Sequence, residues 1–333
     1  MLDERKASIL RAVVEEYIQT AQPVGSGHVV DAPGVSVSSA TVRNEMAALE
    51  TDGYLVQPHT SAGRIPTEKG YRWFVDALAE PALDRSSAQQ VRAFFDRTHG
   101  EIEQMLADTT RLLSRLTDHP AVVVAPSREA VAVRSVQLVG LTPRIVLVVV
   151  VLADGSVEKH TVELAADADD ALLARATSHL GAHGVGRAAA DLAVATVAGD
   201  AEVEEVVARV RAAAAAGSAV EPGGQVFVGG AARMAGSFEA VETVRSVLTI
   251  LEEQLVVVSL LRDVVDRGLN VAIGSETGMQ PLADCALVVA PYTVGGERVG
   301  TVGVLGPARM NYPQALAAVA VVGQRLGNRL SEG

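Results

Sequence analysis

An uncharged apolar run, Ile145-Val146-Leu147-Val148-Val149-Val150-Val151-Leu152, limits the possible folds of this chain more than any other stretch. Even extended to Ala153 it is too short for a membrane helix, which takes about 20 apolar residues. Most of its residues are β-branched, so it is expected as a buried strand. Strand-like segments flank it, Val131 to Leu141 before and Ser156 to Leu164 after. Thr142-Pro143 and Ala153-Asp154-Gly155 supply the turns, the second a good hairpin sequence. A strand of this kind also aggregates when it is transiently exposed.

The chain has 333 residues, more than one core usually holds, so two or three domains are expected. Hydrophobic residues make up 49% but aromatics only 3%, so the cores must rest on Val, Leu, Ile and Ala. Cys285 is the single cysteine, which rules out an internal disulfide or a multi-cysteine zinc site and fits a reducing cytosol. The charged start, Met1 to Lys6, is not that of a signal peptide, and a soluble, cytoplasmic protein is expected. The net charge of −12 argues against a nucleic-acid partner. Phosphate contacts are local, however, and Arg64, Lys69 and Arg72 stand together against one acid, Glu68.

Residues 1–78 alternate helical periodicity with turns. Ile9, Leu10, Val13, Val14 and Tyr17 form one stripe of a first helix, which should end near Gln22-Pro23. Ser26 is placed to cap a short second helix, Gly27 to Val30, and Asp31-Ala32-Pro33-Gly34 is a turn. Ser38 or Ser39 caps a third helix that runs to about Thr51. A hairpin follows, from Tyr54–Pro58 through the turn His59–Gly63 to Arg64–Pro66. Thr67 then caps a fourth helix carrying Tyr71, Trp73 and Phe74, positions that read as core.

Beyond this unit the periodicity predicts one long helix from Ser86 to Thr117, the three strands above, and an Ala-rich helical stretch from about 165 to 219. Gly223-Gly224 and Gly229-Gly230 bracket a short strand, and Phe238 to Val265 reads as a second long helix. Strands at Asn270–Gly274, Cys285–Tyr292 and Arg298–Leu305 and a helix at Pro313–Leu330 complete the chain. Strands, a helical middle and strands again suggest an α+β domain interrupted by an insert, in an α+β multidomain chain. The boundaries read as 1–78, then 79–165 with 238–333, and an insert at 166–237.

Plotted at about 100° per residue, the third helix puts Val42, Met46 and Leu49 on one face. Ala40, Asn44, Ala47 and Thr51 lie opposite, flanked by Thr41 and Arg43. Small residues let a helix backbone approach a major groove, Asn44 can pair with adenine, and Arg43 with guanine or a phosphate. Ser39 and Thr41, with Ser26 nearby, can hold phosphates beside the amides of the helix start. His59, Thr60 and Ser61 form a tight polar loop ending in Arg64, which fits a wing lying against the DNA backbone.

Pro23-Val24-Gly25-Ser26, Ser39 to Met46, Leu49-Glu50 and Gly53 to Thr67 resemble the heat-inducible repressor family HrcA. So do Asp284-Cys285, Ala290-Pro291-Tyr292, Gly300 to Pro307, Arg309-Met310 and Tyr312. The resemblance covers both ends specifically and the middle only loosely. It implies a winged helix-turn-helix, a GAF-like domain and an inserted dimerising domain. It also implies a homodimer on an inverted-repeat operator upstream of chaperone genes, with activity supported by a GroEL-type chaperonin. Gly27-His28, Ala308 and Asn311 depart from the family pattern.

No enzyme chemistry is legible. His179 and His183 stand i, i+4, but no Glu lies between them and Gly181 is expected to break the helix. Gly184-Val185-Gly186 follows no strand, and no Ser sits in a nucleophile elbow. Cys285 lies in an apolar strand and reads as core. No cofactor or metal is expected. Two other readings stay open: a regulator whose GAF-like domain binds a small effector, and a scaffold whose winged helix binds protein.

Overall fold

The computed structural model describes residues 2–60, 62–79, 82–97, 102–126, 132–153, 155, 157–188, 199–220, 225–233, 241–268 and 270–332. Three helices open it: α1 (Glu4–Thr20), α2 (Ser26–Val30) and α3 (Ser39–Thr51). Asp3 starts α1 by accepting the Lys6 amide at 2.8 Å. The helix stops before Pro23 is reached, because Ala21 turns left-handed and donates its N–H to the Tyr17 carbonyl. Gly25 rather than Ser26 stands at the N-cap of α2, so Ser26 is its first residue. β1 (Leu55–Val56) and β2 (Ile65–Pro66) pair antiparallel, Leu55 opposite Pro66 and Val56 opposite Ile65. Both are shorter than predicted. Thr67 then caps α4 (Glu68–Asp76) through the Gly70 amide. Ile9, Leu10, Val13, Val42, Met46, Leu49, Leu55 and Phe74 close a common core. At about 1.5–3 kcal/mol for each large side chain fully buried, this stripe fixes which face of α3 points outward.

The predicted long helix at 86–117 is two helices among the described residues, α5 (Arg85–Arg97) and α6 (Ile102–Thr117). Residues 98–101 lie outside the described set. After β3 (Ala121–Val124) come β4 (Val133–Gly140), β5 (Ile145–Leu152) and β6 (Val157–Glu163), an antiparallel sheet with β5 in the middle. α7 (Asp170–Gly184) and α8 (Ala201–Val220) follow, and then β7 (Val226–Gly229). α9 (Val241–Glu252), α10 (Gln254–Asp266), β8 (Val271–Ile273), β9 (Cys285–Val294), β10 (Glu297–Pro307) and α11 (Tyr312–Glu332) complete the chain.

A five-stranded antiparallel sheet, ordered β7-β3-β10-β9-β8, forms the GAF-like α+β domain. Its strands alternate between two cores. Ala121, Val123, Val288, Val302 and Val304 join the cluster that holds α5, α6, α11 and the winged helix. Val122, Val124, Leu287, Val289 and Leu305 pack with α9 and α10 on the other face. The segment predicted as a single helix to Val265 breaks at Glu253, whose φ of −92° and ψ of 86° leave the helical region. The break keeps both halves on the sheet, through Val247, Ile250 and Leu251 before it and Val257, Leu261 and Val264 after it.

The insert is not where the sequence predicts it. β4, β5 and β6, expected with the GAF-like domain, share a separate core with α7 and α8, in which Val146, Val148, Val150 and Leu152 meet Leu173, Leu180, Val206 and Val207. β7, expected inside the insert, pairs with β3 in the five-stranded sheet. The chain thus leaves the sheet after Val124 and returns at Val226 on the neighbouring strand, Val124 opposite Val226. An excursion that departs and re-enters side by side leaves the parent sheet intact. Among the described residues no helix is long and apolar enough to cross a membrane.

Candidate nucleic-acid interface

Ser38 N-caps α3, its hydroxyl accepting from the Thr41 amide at 3.2 Å. That cap and the buried trio Val42, Met46 and Leu49 set the rotation of the helix. As a result Ser39, Ala40, Arg43, Asn44 and Ala47 are exposed in one stretch, with Thr41 half-buried at its edge. The side chains of Arg43 and Asn44 form no hydrogen bond or ion pair with the described residues. The next acids along the helix are occupied: Glu45 pairs with Arg5 at 3.0 Å and Glu50 with Arg64 at 3.0 Å. The outward face therefore presents one cation, one amide and small side chains. This chemistry suits the edges of bases and the phosphates beside them.

Ser26 does not serve as a cap. Its hydroxyl lies 3.3 Å from that of Ser39, joining the starts of α2 and α3. This contact fixes the angle between the two helices and brings both hydroxyls to the same end of α3.

The hairpin is braced from inside. Gln57 donates from Nε2 to the carbonyls of Thr60, at 3.2 Å, and Ala62, at 2.8 Å, across its loop. Val24 and Arg64 exchange two backbone hydrogen bonds of 2.9 Å, which adds the segment after α1 as a third strand-like edge. Gly63 is required there, because a Cβ would lie 2.4 Å from the Val24 carbonyl carbon. His59 and Thr60 are exposed at the tip, and Ser61 lies outside the described residues.

The positive cluster expected to face DNA is turned to other work. The Arg64 Nε reaches Glu50, and the arginine side chain is only 16% exposed. Lys69 donates to the Asp52 carbonyl at 2.7 Å and lies 4.3 Å from the centre of the Tyr54 ring. Arg72 is bound to Glu276. Of the predicted contacts, the α3 residues and the tip residues His59 and Thr60 lie on the surface, whereas the Arg64 guanidinium is a strut between wing and helix. At the sequence level Glu50 and Gln57 count in the family resemblance but neither has a bracing role, although Gln57 flanks a loop whose carbonyls need a donor.

The two histidines and the lone cysteine can be placed as well. α7 runs through Gly181 unbroken, so His179 and His183 do share a face, their rings 4.4 Å apart. No group of three or more metal-ligating side chains occurs among the described residues. Burial pushes the Cys285 thiol up to about 12, in keeping with a core cysteine.

Comparison with known proteins decides the lineage. Residues 103–316 match the HrcA protein C terminal domain. A heat-inducible transcription repressor HrcA of Nocardia farcinica is 40% identical over 340 residues, 99% of this chain and 97% of that one. This chain belongs to the HrcA family. The HrcA repressor of Acidothermus cellulolyticus is likewise 40% identical, over 344 residues and the whole of both chains. A crystal structure of a hypothetical protein at 2.2 Å resolution shares the fold, with a TM-score of 0.67 at 21% identity over 100% of this chain and 99% of that one. HrcA proteins are transcription repressors rather than enzymes, and the winged helix, GAF-like domain and insert of this chain are the arrangement the HrcA resemblance implies.

Proposed function

We propose that this chain is a heat-inducible transcription repressor that reads an inverted-repeat operator as a homodimer, in the cytoplasm and on the nucleoid. The observation that carries this is the outward face of α3. Ala40, Arg43, Asn44 and Ala47 are exposed while Val42, Met46 and Leu49 anchor the helix from behind. Ser26, Ser39 and Thr41 sit at the helix start to meet phosphates. His59 and Thr60, with Ser61 as the third polar residue of that loop sequence, complete the contact, and Arg64 supports it from beneath.

Two-fold readout needs a pairing surface. The insert sheet supplies a candidate on the face away from α7 and α8. Val139, Ile145 and Val157 are exposed there, and Leu147, Val149 and Val151 are half-buried. An apolar patch on an open sheet is what a second copy of the chain would cover. Val149→Lys at its centre, opposite Gln137 and Lys159, is expected to convert a dimer to a monomer in sedimentation. Because each half-site then binds alone, affinity for the inverted repeat should fall at least about tenfold. A dimeric Val149→Lys protein with unchanged affinity would remove this surface from consideration.

Release on heating follows from the same sheet. β5 is apolar on both faces, so separation of the two copies and partial opening of the insert offer a chaperonin a hydrophobic segment. Chaperonin engaged elsewhere during heat stress leaves the repressor inactive and its chaperone genes on. Operator binding after mild heating should recover with added GroEL-type chaperonin and stay low without it. Equal recovery in both samples contradicts the feedback.

A further inference from the structure

The winged helix does not hang on a free linker. Its fourth helix is clasped to the loop that follows β8 by groups 204 and 207 residues apart in sequence. Arg72 donates from Nε to Glu276 Oε1 at 2.9 Å and from a terminal nitrogen to the Val271 carbonyl at 2.7 Å, and it also bonds the second Glu276 oxygen. One turn earlier, Glu68 accepts from the Ser275 amide at 3.0 Å and from its hydroxyl at 2.6 Å. Gly274 is left-handed at φ +53°, and a Cβ there would stand 2.0 Å from the Glu68 carboxylate, so the loop is shaped to let that carboxylate in. Glu276 is itself oriented by the Ile273 amide at 2.9 Å, while Arg267 donates to its backbone carbonyl at 2.8 Å. Beside the clasp, the rings of Tyr71 and Tyr312 meet 6.0 Å apart.

We infer that Glu276, acting through Arg72, is a positioning residue: the clasp fixes the winged helix against the GAF-like domain and thereby sets the half-site spacing that the repressor accepts. This rests on the DNA reading above. Side chains 24% and 31% exposed make a pair that water screens in part, strong enough to orient a domain and weak enough to open. A bidentate, planar Arg–carboxylate pair fixes direction as well as distance. With the clasp closed, the two α3 helices of a dimer stand at one separation. With it open, the head is held only by the apolar core it shares with the GAF-like domain, a contact without fixed direction, and it tolerates several separations.

Glu276→Gln is the informative variant, since it keeps an acceptor for the Ile273 amide and removes the charge that holds Arg72 across the domains, leaving only the charge of Asp76, on α4 itself, at 3.4 Å. Spin labels at Asp31→Cys and Glu297→Cys, both exposed and one on each domain, report the clasp directly when labelled chain is diluted into excess unlabelled chain. The parent protein should give one narrow distance distribution, and Glu276→Gln and Arg72→Gln broad ones. On inverted-repeat duplexes whose half-sites are moved apart by about half a helical turn, the parent should lose at least about tenfold in affinity and the variants less than about threefold. Single half-site affinity should stay within about twofold, and the double variant should add nothing to either single one. A narrow distribution in Glu276→Gln, or spacing discrimination equal to the parent's, overturns the clasp. Broadening without binding of any duplex retains the clasp and overturns the DNA reading instead.

Discussion

A Gly63→Ala variant is expected to lose the wing and, with it, most of its operator affinity. The Cβ would fall 2.4 Å and 2.5 Å from the carbonyl carbon and oxygen of Val24 and 2.7 Å from the carbonyl carbon of Pro23. All three are backbone atoms, so no side chain can swing aside. The Val24–Arg64 pair, two hydrogen bonds of 2.9 Å, must separate to make room. Overpacking of this kind costs about 1–3 kcal/mol or more, and here it also breaks a strand pairing. Gly27→Ala is the matched control: nothing lies within 4 Å of its Cβ, and the residue is helical, so alanine there should be neutral or slightly stabilising. Thermal melting and gel shift on the same preparations check both. Equal melting temperatures for the two variants would contradict the wing geometry.

The second large effect lies on α3. Arg43→Ala and Asn44→Ala should each cost about 1–3 kcal/mol of operator affinity and relax base preference at different positions. Neither should change stability much, because both side chains are exposed and bond to no described residue. The double substitution should reduce binding to the weak level that the phosphate backbone supports for any sequence, and that residue of affinity should fall steeply with salt. Competition titrations against specific and random duplex, at two salt concentrations, separate the two components. Unchanged discrimination in both single variants would move the readout away from this helix. Arg64→Ala belongs to a different class. Its guanidinium is held by Glu50, so its loss should act on the seating of the wing rather than by deleting a phosphate contact.

The outward face of α3 was legible in the sequence because it depends on local rules. The apolar residues of α3 recur at helical spacing, Ser38 precedes them as a cap, and whatever lies opposite must face out. The cations were not legible. Arg64, Lys69 and Arg72 looked like a basic patch beside the wing, yet each found a partner inside the protein. A long flexible cation takes the acceptor that tertiary packing brings to it, and for Arg72 that acceptor is 204 residues away in sequence. The insert boundaries failed for a related reason. Alternating apolar residues at Val133–Gly140 identify a strand but cannot say which sheet it joins, and β7 is too short to announce its pairing with β3. The break at Glu253 carries no proline. At Glu253 the sheet beneath, rather than the local sequence, decides where the axis turns.

The central claim is that two outward α3 faces read two halves of one operator. A hydroxyl-radical footprint of the purified chain on the DNA upstream of its own gene tests it most directly. The account predicts two symmetric protected segments on one face of the duplex, centred about one or two helical turns apart, which disappear together when Arg43 and Asn44 are replaced by alanine. Protection that is absent, or that survives this double replacement unchanged, would contradict it.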